Sequence, residues 1–385
     1  MVSKKVPVWL LSLLVAAAMM AFAATPAGAR PAKTQSQTFT IHLDARAHAG
    51  EPWAFLKFFP NAIQVHGGDV IHAKWSGTDT PHTATLVNTD DPEGWRAQNQ
   101  GPGGPYEVVV PDSQVGGDDD ENVINPSVLF PSPPGCGDQI TPCPFDGSSV
   151  VTSGVNFPNP GAQPSFAVQV TAPVGSYSLL CLLHPGMEIP VDVVPSDEHI
   201  RSPQEVAELA AQQAFQANRV DGVQADSLAQ QVTVTAHNGH SLWTISAGGF
   251  FANVTANEYV NSGLTVHVGD QVKVLGNFEI HTATFPATAA DSVPFVTTQC
   301  EVPGPDTPAN SPLDCADPSQ FQAAFNPEAV TPTASNALRD PTEFVNSGLL
   351  VNPLTSTFVA RVPGVYTMVC LVHGPEMTTT VTVEN

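Results

Sequence analysis

Cys181-Leu182-Leu183-His184-Pro185-Gly186-Met187 sets a thiol, an imidazole and a thioether on one short loop. Cys370-Leu371-Val372-His373-Gly374-Pro375-Glu376-Met377 sets out the same three groups, with one more residue before the methionine. Beyond the apolar N-terminal run the chain has methionines only at 187, 368 and 377, and two of these three stand just after a Cys-x-x-His. His82 and His281, each opening a His-Thr-Ala-Thr, supply the second imidazole. Two imidazoles and a thiolate in a trigonal plane, with a weak axial thioether, suit copper that alternates between Cu(I) and Cu(II). Zinc normally takes four strong ligands and has little use for a thioether. The expected metal ligands are therefore His82, Cys181, His184 and Met187 at one site, and His281, Cys370, His373 and Met377 at the other. One copper is expected at each, and no residue is assigned a catalytic role.

The ligands recur because the chain is duplicated. Ile63-Gln64-Val65-His66-Gly67-Gly68-Asp69-Val70-Ile71 aligns with Leu264-Thr265-Val266-His267-Val268-Gly269-Asp270-Gln271-Val272, each followed by its His-Thr-Ala-Thr. Gly175 to His184 likewise echoes Gly364 to His373. Period-two alternation between Gly-Asp and Gly-Asn turns, in a chain with 37 Pro and 29 Gly, predicts short strands in two all-β sandwich domains. Between the copies, Ser202-Pro203-Gln204-Glu205 is a capping box followed by apolar residues at helical spacing, with Gly222 beyond the expected end. The predicted organisation is domain 1 over 38–196, a linker helix within 197–230, and domain 2 over 231–385. Each domain carries a long Pro/Gly-rich insertion, at about 90–164 and about 287–351, too long for a hairpin loop. The acidic run Asp118-Asp119-Asp120-Glu121 reads as a solvated loop, since it lacks the spacing of a calcium loop.

Six cysteines divide into two jobs. Cys136, Cys143, Cys300 and Cys315 lie in the insertions, where three connectivities are open and local pairing, Cys136 with Cys143 and Cys300 with Cys315, is the simplest. Cys181 and Cys370 end apolar strands and are reserved for metal. His66 and His267 read as sheet-surface residues, and His237-x-x-His240 is an isolated weak pair.

Thirteen Lys plus Arg against 36 Asp plus Glu give a net charge of −23, which repels a phosphate backbone and excludes nucleic-acid binding. Lys4 and Lys5, the apolar run from Val8 to Ala24 and the small residues up to Ala29 predict a signal peptide over 1–29, with a disordered stretch over 30–37. Export to a periplasmic or extracellular compartment that permits disulfides follows, with no membrane anchor after cleavage.

The Val-x-x-Gly-Asp strand, the isolated upstream His and the Gly-x-Tyr-x-x-x-Cys-x-x-His loop with its Met together resemble the cupredoxins, the small blue (type 1) copper proteins such as plastocyanin and amicyanin. The resemblance covers both copies. It implies two tandem Greek-key β-sandwiches, with copper at one end of each and electron transfer as the function. It also implies that the edges of His184 and His373 are exposed ports in apolar patches, and the acidic surface favours a redox partner protein with a basic docking surface. A copper carrier or resistance protein is the alternative. Two-domain copper nitrite reductases and laccases share the duplication, but their pattern places a His before the copper Cys or uses His-x-His pairs. Leu180 and Val369 occupy that place here and no His-x-His occurs, so the expectation is that the protein is not an enzyme.

Overall fold

In the strand Thr38–Leu43, Phe39, Ile41 and Leu43 point inward, and in Thr355–Ala360 the inward set is Ser356, Phe358 and Ala360. That alternation buries one face of each strand, which is why these segments pair as sheets over a shared core. A computed structural model describes residues 36–45, 51–76, 80–101, 103–107, 125–156, 164–300, 307–308, 315 and 321–385. The expected signal peptide, most of the stretch over 30–37 and the acidic run at 118–121 lie outside the described residues.

Each half is two facing five-stranded sheets, and the two halves share a topology except at one edge, where the outer strand follows its neighbour in the chain in the first half and precedes it in the second. In the first, one sheet runs Phe58–Phe59, Thr38–Leu43, Val70–Trp75, Ser165–Val170, Cys143–Phe145, and the other runs Ile63–His66, Glu188–Val194, Gly175–Leu180, Thr85–Val87, Val151–Thr152. In the second, the corresponding orders are Thr233–His237, His240–Ser246, Gln271–Leu275, Thr355–Ala360, Ala337–Leu338 and Leu264–His267, Gly374–Glu384, Gly364–Cys370, Thr284–Phe285, Val345–Asn346. The parallel pairs match as well: Leu43 lies opposite Trp75 in one half, and Ser246 opposite Leu275 in the other. The disulfides are Cys136–Cys143 and Cys300–Cys315.

A third sheet joins the halves. Trp53–Phe55 from the first pairs antiparallel with Val254–Ala256 of the second, which pairs in turn with Gly249–Phe251. Against it packs the helical segment. Ser202 and Glu205 form the capping box, and the helix runs over Pro203–Ala217, through a π-turn at Asn218–Gly222 and on through Val223–Ala229. Gly222 does not end the helix. A Cβ there would sit 2.2 Å from Cε3 of Trp53, so this glycine is where the helix presses onto the indole. Ala210, Ala217, Ala225 and Ala229 complete an apolar seam with Trp53, Phe55, Val254 and Ala256.

Glu258 is buried beside this seam. Burial first, and then the neighbouring Asp226 carboxyl, push its carboxyl from 4.5 up to about 8. Between those pH values the folded chain holds a proton that the unfolded chain releases, so stability falls as pH rises through the window. Glu258→Gln should therefore melt with the parent near pH 4.5 and above it at pH 8, by about 2 °C. Melting curves that stay parallel across the range would remove this assignment.

Candidate metal centres

The strand Gly175–Leu180 delivers Cys181 to the end of the first sandwich, and the chain returns as Glu188–Val194. Two backbone bonds close the loop between them: the Cys181 N–H donates to the Met187 carbonyl at 2.9 Å, and the Met187 N–H donates to the His184 carbonyl at 3.1 Å. His82 is fixed from the other side by a two-way backbone bridge to Asn156. In the second half, Gly364–Cys370 turns into Gly374–Glu384 with a register shift at Val369/Cys370, and His281 is held by the same kind of bridge to Leu350.

The predicted imidazoles and thiols come together. Cys181 Sγ lies 3.5 Å from Nδ1 of His184 and 4.0 Å from Nδ1 of His82, and the two Nδ1 atoms are 3.0 Å apart. Cys370 Sγ lies 3.4 Å from Nδ1 of His373 and 3.9 Å from Nδ1 of His281. In each triad the ligand atoms all lie within 4.8 Å of one another. Met187 is fully buried in the core that holds Cys181, and Met377 in the core that holds Cys370.

The threonine after each upstream His braces the sulfur. Thr83 donates its N–H to Cys181 Sγ at 3.3 Å, while its Oγ1 accepts the Leu182 N–H at 2.7 Å. Thr282 does the same, at 3.4 Å to Cys370 Sγ and 2.9 Å from the Leu371 N–H. Burial opposes ionisation of both thiols. His184 and then His82 nevertheless hold Cys181 well below its ordinary value, as His373 and His281 do for Cys370. A thiolate braced by an N–H, two convergent imidazoles and a dry apolar surround is a donor set that fits copper, to which it would offer one ligand set for both valence states.

Carboxylates face the outer nitrogens of both imidazoles of the first site. Nε2 of His82 lies 3.6 Å from Oδ2 of Asp44, and Nε2 of His184 lies 3.6 Å from Oε2 of Glu279, a residue of the second half. Burial, the largest influence, lowers both histidines, but Asp44 and Cys181 together outweigh it at His82, and Glu279 with Cys181 pushes His184 up to about 10. Burial prevails at His281, which is lowered. Sequence reasoning missed Asp44 and Glu279. Only the offset of Glu279, two residues before a repeated His, could have drawn notice.

Of the two port histidines, His184 is buried rather than exposed, while His373 is partly exposed. His184 is 6% exposed, and with the partly buried His373 it lines a cavity of about 420 Å³ walled by Leu183, Phe278, Ile280 and Val372. Leu129 and Val155 from the first insertion and Phe295, Val296 and Phe325 from the second roof it, which gives the insertions a place in the fold. His66 is not a surface residue: it is buried, with its Nε2 3.0 Å from the Glu198 carbonyl, whereas the His267 side chain is 62% exposed.

Strand order and ligand set together define a cupredoxin-like fold in two tandem domains, with two His/Cys/His sites of the blue-copper kind. No protein-family model matches the chain, and no curated protein does. Among solved structures, reduced auracyanin from Roseiflexus castenholzii is 15% identical over 42% of this chain and 98% of its own, with a TM-score of 0.24. A blue copper oxidase from Nitrosomonas europaea is 11% identical over 91% of this chain and 86% of its own, at 0.20. A copper nitrite reductase from the same organism is 11% identical over 91% and 95%, at 0.19. These likenesses concern the fold.

They also correct the expectation that the protein is not an enzyme. The matches that span 91% of the chain are oxidases and reductases. The expectation rested on contiguous motifs, and a fold can assemble imidazoles from distant segments. His42 and His72, on neighbouring strands 30 residues apart in sequence, already line one hollow with Gln139.

Proposed function

We propose that the protein is an exported copper protein that carries electrons through two blue-copper-type sites, one in each domain. The observation that carries this reading is the convergence, twice, of a buried thiolate and two imidazoles within 4.8 Å. Holding one rigid ligand set for both valence states keeps reorganisation small, which is what electron transfer needs. Two disulfides and the N-terminal apolar run support export, and no helix among the described residues is long and apolar enough to cross a membrane. The charge of −23 favours a redox partner with a basic docking face and an encounter that weakens with salt.

Copper content and visible absorption test the proposal directly. Two coppers per chain with an intense thiolate-to-copper band, and reversible waves in voltammetry, are expected. Two colourless zinc ions would sink it, and loss of Cu(I) on reduction would favour a carrier. Turnover of a phenol or of nitrite, assayed on the same preparation, would place the electrons' destination within the protein itself.

A further inference from the structure

The turn that joins Gly249–Phe251 to Val254–Ala256 belongs to the second domain but reaches into the first. Phe251 pairs with Val254, so Ala252 and Asn253 form a two-residue hairpin loop, and both have positive φ, 50° and 61°. Asparagine tolerates that conformation better than most residues, and it matches the twist of a tight hairpin. The tip is docked at two points. The Asn253 carbonyl accepts the Leu56 N–H at 3.0 Å, and its side-chain amide donates to the Gly186 carbonyl at 2.9 Å.

Gly186 lies in the first ligand loop, directly before Met187. The peptide group between them is therefore pinned on both sides: its oxygen by Asn253 of the second domain, its N–H by the His184 carbonyl at 3.1 Å. Gly186 has a φ of 78°, and a Cβ there would lie 3.3 Å from Nδ2 of Asn253, so glycine lets the turn come this close. The second domain meets the same loop again at His184, whose Nε2 faces the Glu279 carboxylate at 3.6 Å. One packed unit supplies both contacts. Phe250, on the hairpin, packs against the first core and stacks on Phe278 with ring centroids 4.3 Å apart, and Phe278 directly precedes Glu279.

We propose that Asn253 and Glu279 are positioning residues for the first metal site, so that the loop carrying Cys181, His184 and Met187 holds its metal-binding shape by docking on the second domain. Neither is a ligand. Asn253 acts through the peptide that aims Met187, and Glu279 through the ring of His184. An imidazole oriented by a carboxylate and a methionine aimed by a clamped peptide have less freedom to lose when an ion binds. Linkage runs both ways, so an ion at the first site tightens the grip of the hairpin on the loop. This inference rests on the copper reading above and adds the second domain to the first site.

Copper affinity and the visible and electron paramagnetic resonance spectra of each site decide it, with Cys370→Ser isolating the first site and Cys181→Ser the second. Asn253→Gly removes the amide and keeps the turn, since glycine adopts positive φ freely. In the Cys370→Ser background it should weaken copper binding by about tenfold or more, the scale of losing a group that orients a metal ligand, and change the first-site spectrum. Glu279→Ala should do the same, and Glu279→Gln, which keeps an accepting oxygen, should restore most of the loss. In the Cys181→Ser background Asn253→Gly should leave affinity and spectrum as they were, which a general loosening of the fold would not. Glu279 cannot serve as that control, because its charge also reaches His373 and His281. A first site unmoved by either Asn253→Gly or Glu279→Ala, or equal losses at both sites on Asn253→Gly, would overturn the proposal while leaving two copper sites. A parent chain that binds no copper would instead remove the reading beneath it. Where Asn253→Gly fails to fold, Asn253→Asp, which keeps the shape but gives up the donor, answers the same question.

Discussion

Replacing Cys181 by Ser should remove about half of the intense visible absorption of the copper-loaded protein, and Cys370→Ser should remove the other half. The double variant should be colourless. Each band requires a thiolate bonded to the ion, and serine, with a far higher pKa and a hard oxygen, cannot provide it. The sites are independent as chromophores because each triad closes within one domain: His82 reaches Cys181, and His281 reaches Cys370. The bracing N–H groups of Thr83 and Thr282 can donate to a serine oxygen as they do to sulfur, so both variants should keep the parent circular dichroism. If one substitution bleached the whole protein, the two centres would not be separate sites.

Trp53→Ala should cost about 3–5 kcal/mol of stability, the range for truncating a large buried aromatic. The indole is buried between the helical segment and the sheet that spans the domains. Its strand pairs with Val254–Ala256, and Gly222 has shed its side chain to let the helix meet the ring. The loss therefore falls on the seam rather than on either sandwich. Chemical denaturation should show it as a separate early transition, with the two sandwich cores unfolding later. A loss below about 1 kcal/mol would mean that the domains are held together by other contacts.

Much of this was legible in the sequence. Cys181, His184, Cys370 and His373 declared themselves by type and spacing, and duplication picked His82 and His281 out of twelve histidines. The Pro/Gly-punctuated alternation was enough for two sandwiches. What stayed hidden depends on contacts without a local signal. Gly222 reads as a helix stop because glycine usually is one, and only the position of Trp53, 169 residues earlier, explains why the helix runs through it. Asp44 lies 38 residues from the His82 it backs, and Glu279 serves a histidine of the other domain. The insertions read as loose loops because nothing in their composition reveals that both close over one cavity.

The seam strand also settles what a gene fragment would be worth. Cutting the chain between the copies would strip Val254–Ala256 of its borrowed neighbour and leave a row of unsatisfied amides beside bared alanines and aromatics. Either half, produced by itself, should clump or seek a replacement strand from another molecule.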